Sequence, residues 1–166
     1  YNDLKDLQRE LNVANPIVGV VQGLRKTADA TIKGFELDVI ALPIPQLAFN
    51  ASIGYLDGSY DEVRFDLSSD GVIDAADLAL SIPRLPKWTY TVGSTFDQEL
   101  GDFAVLSFRG EYSYRGKTFF TDNNIGTLPA YDVLNASISL ISMDEQWALT
   151  FYGKNLSDEA IVQQNT

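Results

Sequence analysis

One alternation of apolar and polar residues returns in at least five separate stretches of this chain. Leu47, Phe49, Ala51, Ile53 and Tyr55 alternate with Ala48, Asn50, Ser52 and Gly54. Trp88, Tyr90, Val92 and Phe96 alternate with Thr89, Thr91, Gly93 and Thr95. Ala104, Leu106, Phe108, Tyr112 and Tyr114 alternate with Ser107, Arg109, Glu111, Ser113 and Arg115. Leu134, Ala136, Ile138 and Leu140 alternate with Asn135, Ser137 and Ser139, and Trp147, Leu149 and Phe151 with Thr150, Tyr152 and Lys154. Side chains of a strand point alternately to its two faces, so each stretch is a strand with one greasy and one wet face. The wet face carries Arg109, Glu111, Arg115 and Lys154 among small hydroxyls, and the greasy face is rich in large aromatics.

The connections between these strands fall into two classes. Short turns are expected at Pro43–Gln46, Gln98–Asp102 and Ser142–Gln146, and long polar loops at about 61–86 and about 116–130. Followed along the chain, every short turn lies at one end of the sheet and every long loop at the other. Outer-membrane barrels have this asymmetry, with tight periplasmic turns and long extracellular loops. Tyr55, Tyr90, Tyr112 and Tyr114 sit toward the loop end, and Phe49, Phe96 and Trp147 toward the turn end, as two interfacial girdles require. Upstream, Phe35, Leu37, Val39 and Ala41 alternate with Glu36 and Asp38. The stretch 17–42 reads as one long strand and 1–11 as a further strand, about seven in all. An odd number of strands does not close a single-chain bacterial barrel, and an open edge in lipid leaves backbone groups unsatisfied. The expectation is an all-β antiparallel transmembrane segment of a larger wall, its last strand at Trp147–Ala160 lacking a returning partner.

Composition narrows the chemistry. A formal charge of −11 argues against nucleic acid as a partner, since phosphate contacts need a surplus of Lys and Arg. With no cysteine and no histidine, thiolate chemistry and histidine-based catalysis or metal binding are absent. An enzyme is not expected, and no catalytic residue is assigned. No apolar run approaches the ~20 residues of a spanning helix.

Several strings resemble a known family. Gly34-Phe35-Glu36-Leu37-Asp38, followed by a proline turn and Leu47 to Tyr60, resembles strands of TonB-dependent outer-membrane receptors, as does Leu85-Pro86-Lys87-Trp88-Thr89-Tyr90. Tyr112-Ser113-Tyr114-Arg115 is similar to that family's aromatic–Arg strand end, and Tyr131 to Asn135-Ala136 to its Y-x-x-x-N-A strand start. Gly153-Lys154-Asn155-Leu156-Ser157-Asp158 is similar to its G-x-N-L-x-D element before the last strand. The resemblance runs over essentially all of residues 1–166 and implies the C-terminal portion of a barrel of roughly 22 strands, without plug or final strand. It further implies localisation in the bacterial outer membrane and import of a scarce large nutrient: an iron–siderophore complex, cobalamin or a glycan. The implied partners are outer-membrane lipid, the plug domain, the remaining strands, and TonB, reached through the absent N-terminal part. Two alternatives stay open: a small closed barrel with a structural or adhesive role, and a soluble calcium-binding β-sandwich.

One loop carries ligand chemistry. Asp66, Ser68, Asp70, Val72, Asp74 and Asp77 occupy positions 1, 3, 5, 7, 9 and 12 of an EF-hand-like loop with Gly71 at the sharp turn. These oxygen donors are the candidate Ca²⁺ ligands, Val72 through its carbonyl and Asp74 through a water. The acidic pair Glu36 and Asp38, and the group Arg109, Glu111 and Arg115, read as charged ladders on the wet face rather than acid–base machinery. Phe119 and Phe120 are expected to pack the second long loop onto the rim. Lys154-Asn155 is placed near the middle of a strand.

Overall fold

The computed structural model describes residues 1–15 and 19–162. Among these the chain forms β1 (Asn2–Asn15), β2 (Gly19–Ile44), β3 (Leu47–Val63), α1 (Ala75–Leu78), β4 (Trp88–Leu100), β5 (Ala104–Arg115), β6 (Thr118–Phe119), β7 (Thr127–Leu128), β8 (Tyr131–Ser142) and β9 (Ala148–Gly153). Seven strands make one sheet in the order β1-β2-β3-β4-β5-β8-β9, each antiparallel to the next. It is an up-and-down meander in which sequence order is spatial order. The expected strand at 1–11 is β1, and the long stretch 17–42 is the single strand β2 from Gly19 onward; Ile17 and Val18 lie outside the described residues.

The ladder fixes the faces. Leu47, Phe96, Phe108, Ile138 and Phe151 form one row across five strands, and the row beside it is Ala48, Thr95, Arg109, Ser137 and Tyr152. A third row runs Asn50, Gly93, Glu111, Asn135. Apolar rows lie on one side of the sheet and polar rows on the other, because a period of two cannot mix them. Gly93 leaves room for the Asn50 side chain, whose Oδ1 would stand 2.7 Å from a Cβ placed there.

Aromatic rings mark both margins of the apolar face. At the loop end, Phe35 stacks on Tyr55 at 5.7 Å, Tyr55 meets Trp88 at 4.7 Å, and Tyr90 stacks on Tyr114 at 4.8 Å. At the turn end, Phe103 meets Trp147 at 5.7 Å. Tyr90 to Leu100 on β4 is about ten residue steps, roughly 34 Å along the strand and ~24 Å in height at a ~45° tilt. That matches the ~25 Å apolar band of outer-membrane barrels.

The two halves of the chain differ in height. β3 pairs with β4 only from Leu47 to Tyr55, whereas its ladder with β2 continues to Val63. β1, β2 and the end of β3 therefore rise beyond the other strands on the loop side. On the β1 side, the ladder stops at Asn2 opposite Ile32, so Lys33–Ile44 of β2 is an open edge among the described residues. Continuous with it is the outer side of β1, and the outer side of β9 is the open edge at the opposite end of the sheet among the described residues.

One strand is shorter than its sequence pattern. The alternation predicts Trp147–Ala160, but β9 ends at Gly153. Asn155 (φ 51) and Asp158 (φ 52) adopt the left-handed conformation that Asn and Asp tolerate best. Asn155 then brackets the turn: its Nδ2 donates to Glu159 O at 3.0 Å and its Oδ1 accepts from Glu159 N at 3.1 Å. Lys154-Asn155 is thus a strand exit rather than a strand middle.

Candidate functional site

The buried cluster of the chain lies at the loop end, where loop residues complete it; Ala104 and Ser142 are buried at the turn end. The inner, polar-row face of the raised strands carries Ala28, Ala30 and Tyr60, which with Leu67 form a small buried cluster; Leu7, Val63, Leu80 and Ile82 pack around it. Gly58 lets the first long loop approach, since a Cβ there would meet Leu85 Cδ2 at 2.5 Å and Ile82 Cδ1 at 2.8 Å. The loop thus folds down over the polar side of the sheet.

The second long loop is knitted to the first. Asn124 Oδ1 accepts from Ser81 N at 2.7 Å while its Nδ2 donates to Ser81 O at 2.9 Å, a reciprocal pair only an amide side chain can make. Arg84 N donates to Phe119 O at 2.7 Å. Within the second loop, β6 and β7 pair as a minimal hairpin. Phe120 packs on Gly126, and Lys117 Nζ stands 4.9 Å over the Phe119 ring. The Phe120 ring packs within its own loop, and Phe119 joins that loop to the first through its backbone carbonyl. Arg9 ties this assembly to the wall: its Nη2 donates to Tyr60 Oη at 2.7 Å, and its Nη1 forms an ion pair with Asp122. Arg9, Ser81 and Asn124 carry no motif, and their pairing is invisible in a linear sequence.

On the opposite side of β2, Asp29 takes a bidentate pair from Arg64, 2.9 and 3.0 Å, and the Asp6 amide at 2.8 Å. The Arg64 guanidinium, then the Asp6 amide, lower the Asp29 carboxyl to about 2.

The candidate calcium loop folds into a compact, self-bonded turn. Asp66 Oδ1 accepts from Ser68 Oγ and the amides of Ser69 and Asp70, and Asp66 Oδ2 accepts from Gly71 N at 2.8 Å. Gly71 has φ +93, the left-handed backbone its position requires. The Gly71 amide, foremost, holds the Asp66 carboxyl below the usual carboxylate range. Asp70 Oδ1 accepts from Val72 N at 2.9 Å. Asp74 and Asp77 form a capping box on the single turn α1, with Asp74 Oδ1 accepting from Ala76 N and Asp77 Oδ2 from Asp74 N. Asp77 is fully buried, and its Oδ1 accepts from the amides of Leu67 and Ser68, both at 2.7 Å. Burial opposes its ionisation, but the amides of Ser68, Asp74 and Leu67 outweigh it and hold its carboxyl low. The carboxylates therefore serve backbone donors. Among the described residues, no group of three or more His, Cys, Asp or Glu is placed to hold a metal ion.

The charged ladders of the polar face lie where alternation puts them. Arg109 Nη2 stands 3.6 Å from Glu111 Oε2, beside a shallow groove of about 250 Å³ that Asn135, Tyr152 and Lys154 also line. Glu36 and Asp38 share that face, opposite Gly54 and Ser52. Asn135 has a second role: its Oδ1 accepts from Asn155 N at 3.0 Å. The two strings around Asn135 and Asn155 thus meet in space.

Three comparisons place this architecture. A family model described as TonB dependent receptor-like, beta-barrel matches residues 1–156. No curated protein matches the sequence. The ferric yersiniabactin uptake receptor FyuA from Yersinia pestis is similar in structure, with a TM-score of 0.68 and 14% identity over 82% of this chain and 20% of that one. BauA, the ferric preacinetobactin receptor from Acinetobacter baumannii, is similar with a TM-score of 0.64 and 15% identity over 93% of this chain and 22% of that one. The chain thus spans about a fifth of the length of either receptor. Members of the matched family are outer-membrane transport proteins rather than enzymes. The chain is an antiparallel β-barrel segment that belongs to the TonB-dependent receptor family.

Proposed function

We propose that this chain is the C-terminal portion of the wall and mouth of an outer-membrane receptor that imports a ferric siderophore with energy delivered through TonB. The observation that carries the reading is the folding of both long loops, tied by Asn124 and Arg84, over the polar face of the sheet at one end only. In a closed barrel that end is the mouth of the lumen, and the loops face the outside of the cell. The polar rows then line the lumen, where Arg109, Glu111 and Lys154 stand ready for charged groups of a plug. The two open edges fit a wall completed by further strands, since lipid-exposed edges leave amides unsatisfied. Iron is favoured over cobalamin or glycan by the two ferric-chelate receptors among the structural matches. The test is ⁵⁵Fe-siderophore accumulation by iron-starved cells carrying the intact receptor, with and without residues 116–130. Energy-dependent uptake that is lost on deletion of the loop supports the reading. Uptake equal to that of cells lacking the receptor contradicts it.

Calcium binding at Asp66, Ser68, Asp70, Val72, Asp74 and Asp77 is a separate proposal, motivated by their spacing and by the left-handed Gly71. Ca²⁺ would have to displace amides that now satisfy Asp66 and Asp77. Calorimetry of the intact receptor and its Asp70→Ala variant decides: a binding heat lost in the variant supports the site, and identical heats sink it.

A further inference from the structure

We infer that Lys33 and Lys87 form a docking site, on the outward face of the wall, for the phosphate of a lipid headgroup in the outer leaflet. The inference rests on the placement of this wall in the outer membrane, loop end outward, and goes beyond transport. Phe35, Tyr55 and Trp88 stand side by side in one row of the ladder on the apolar face, and the Phe35 and Trp88 rings meet edge to face at 6.0 Å. Aromatic belts of this kind sit at the level of the headgroups. The next row up on the same face pairs Lys33 with Asp57. Lys87 reaches that row from the position before Trp88: its carbonyl accepts from Leu56 N at 3.0 Å, and its Nζ lies 3.1 Å from Asp57 Oδ1. Two residue steps are about 7 Å along a strand and ~5 Å in height at a ~45° tilt. Both ammonium groups therefore stand just outside the hydrocarbon.

The two margins of the apolar band differ in charge. Beyond Phe103 and Trp147, the turns 97–103 and 142–147 carry Asp97, Glu99, Asp102, Asp144 and Glu145 and no Lys or Arg. A chain with 23 acidic residues against 12 Lys and Arg thus sets two lysines over its aromatic row at the loop end and acids alone in those turns. Two identical membrane surfaces give no reason for that difference, whereas an anionic outer surface does, because each Lys close to it strengthens attachment. The site is local, since farther along the same margin Tyr114 faces Asp132. Lys33 and Lys87 flank β3, and strands lie about 4.8 Å apart, so two lysine side chains can close around one phosphate. Asp57, between them, takes one of the three donors of Lys87 and leaves the others. Lys33 has no carboxylate within 4.0 Å among the described residues; its Nζ lies 6.0 Å from the centroid of the Tyr1 ring. Exposed Ser59, one row higher, adds a hydroxyl donor. Other cations of the raised outer face are committed: Lys5 to Asp3 at 3.0 Å, Lys26 to Asp6 at 2.6 Å and Arg64 to Asp29 at 2.9 Å.

The test is native mass spectrometry of the intact purified receptor in micelles containing diphosphoryl lipid A, the same lipid A stripped of its phosphates, or inorganic phosphate alone. The wild type should retain diphosphoryl lipid A, and the Lys33→Gln/Lys87→Gln variant should bind it roughly tenfold or more weakly. Lys33→Arg/Lys87→Arg should match the wild type, because the charge is kept. Lys5→Gln/Lys26→Gln removes the same charge from neighbouring positions and should also match it. The phosphate-free lipid should bind more weakly and be indifferent to every substitution, and inorganic phosphate should not be retained. Heat-modifiable migration confirms that each variant is a folded barrel. Equal binding by the wild type and the Lys33→Gln/Lys87→Gln variant, an equal loss in Lys5→Gln/Lys26→Gln, retention of inorganic phosphate, or no preference for the phosphorylated lipid overturns the site. A receptor that still accumulates iron with energy dependence after such a result keeps its transport function and loses only the lipid site.

Discussion

The wall and the mouth of this chain are stabilised by different means. In the wall, large apolar side chains stay exposed: Leu37 at 51%, Leu149 at 53% and Phe151 at 66%. Among the described residues no core covers them, and in the proposed receptor lipid would take the place of one. In the mouth, Ala28, Ala30, Tyr60 and Leu67 are buried by protein, Arg9 pairs with Tyr60 and Asp122, Arg64 pairs with Asp29, and Asn124 and Asp77 bond the backbone. A polar substitution should therefore hurt the wall on one face only, while the mouth should be sensitive to single hydrogen-bonding groups.

The largest effect should come from placing a charge in the apolar band. Phe108→Arg, on the apolar row, should destabilise the intact barrel by about 2–4 kcal/mol, and the adjacent Ser107→Arg by about 0–1 kcal/mol. Urea unfolding in lipid vesicles measures both, and equal losses would erase the distinction between the faces. Next comes Asp77→Ala, which leaves the amides of Leu67, Ser68 and Asp74 without their acceptor. We expect a loss of about 2–3 kcal/mol, local to the loop, seen as faster amide exchange over 66–78 with unchanged exchange in β5 and β8. Arg9→Ala should cost about 1–2 kcal/mol by leaving Asp122 and Tyr60 unpartnered, and should loosen the second loop before the wall.

Acid should produce the mildest change. The folded carboxyl of Asp29 titrates at about 2, below its value of ~3.9 in an unfolded chain. Its contribution is complete above about pH 4 and fades as pH falls toward 2, because protonation breaks its pairing with Arg64. Exchange at the raised end of β2 should rise in that window. Asp29→Asn should abolish the pH dependence without altering the apolar band.

The sequence shows the wall clearly because one period governs it. A sheet with lipid on one side and water on the other must alternate, so five strands, their turns and their loop asymmetry are legible in residues such as Leu106, Ser107, Phe108 and Arg109. The raised strands are harder to read, since irregularities near Asp6 of β1 and at Asp61 of β3, opposite Asp29 and Ala30, break the period where burial by the loops begins. The alternation also overran β9, because Asn155 uses a left-handed backbone that no hydrophobic pattern encodes. The mouth was not legible. Arg9 and Asp122, or Ser81 and Asn124, lie far apart in the chain and meet only after the loops fold. The acidic loop showed its spacing but not its bonding, in which Asp66 and Asp77 accept backbone amides.

The central claim, that odd and even positions of one strand face water and lipid respectively, is open to a direct measurement. The chain has no cysteine, so each introduced thiol is unique within it. Positions 105–113 of β5 should be changed to cysteine one at a time in the intact receptor, in membranes, and exposed to a water-soluble maleimide and a lipid-dissolved quencher. The account predicts maleimide labelling at Ser107→Cys, Arg109→Cys, Glu111→Cys and Ser113→Cys, and quenching at Leu106→Cys, Phe108→Cys and Tyr112→Cys. Uniform labelling along the strand, or an alternation of the opposite phase, would contradict it.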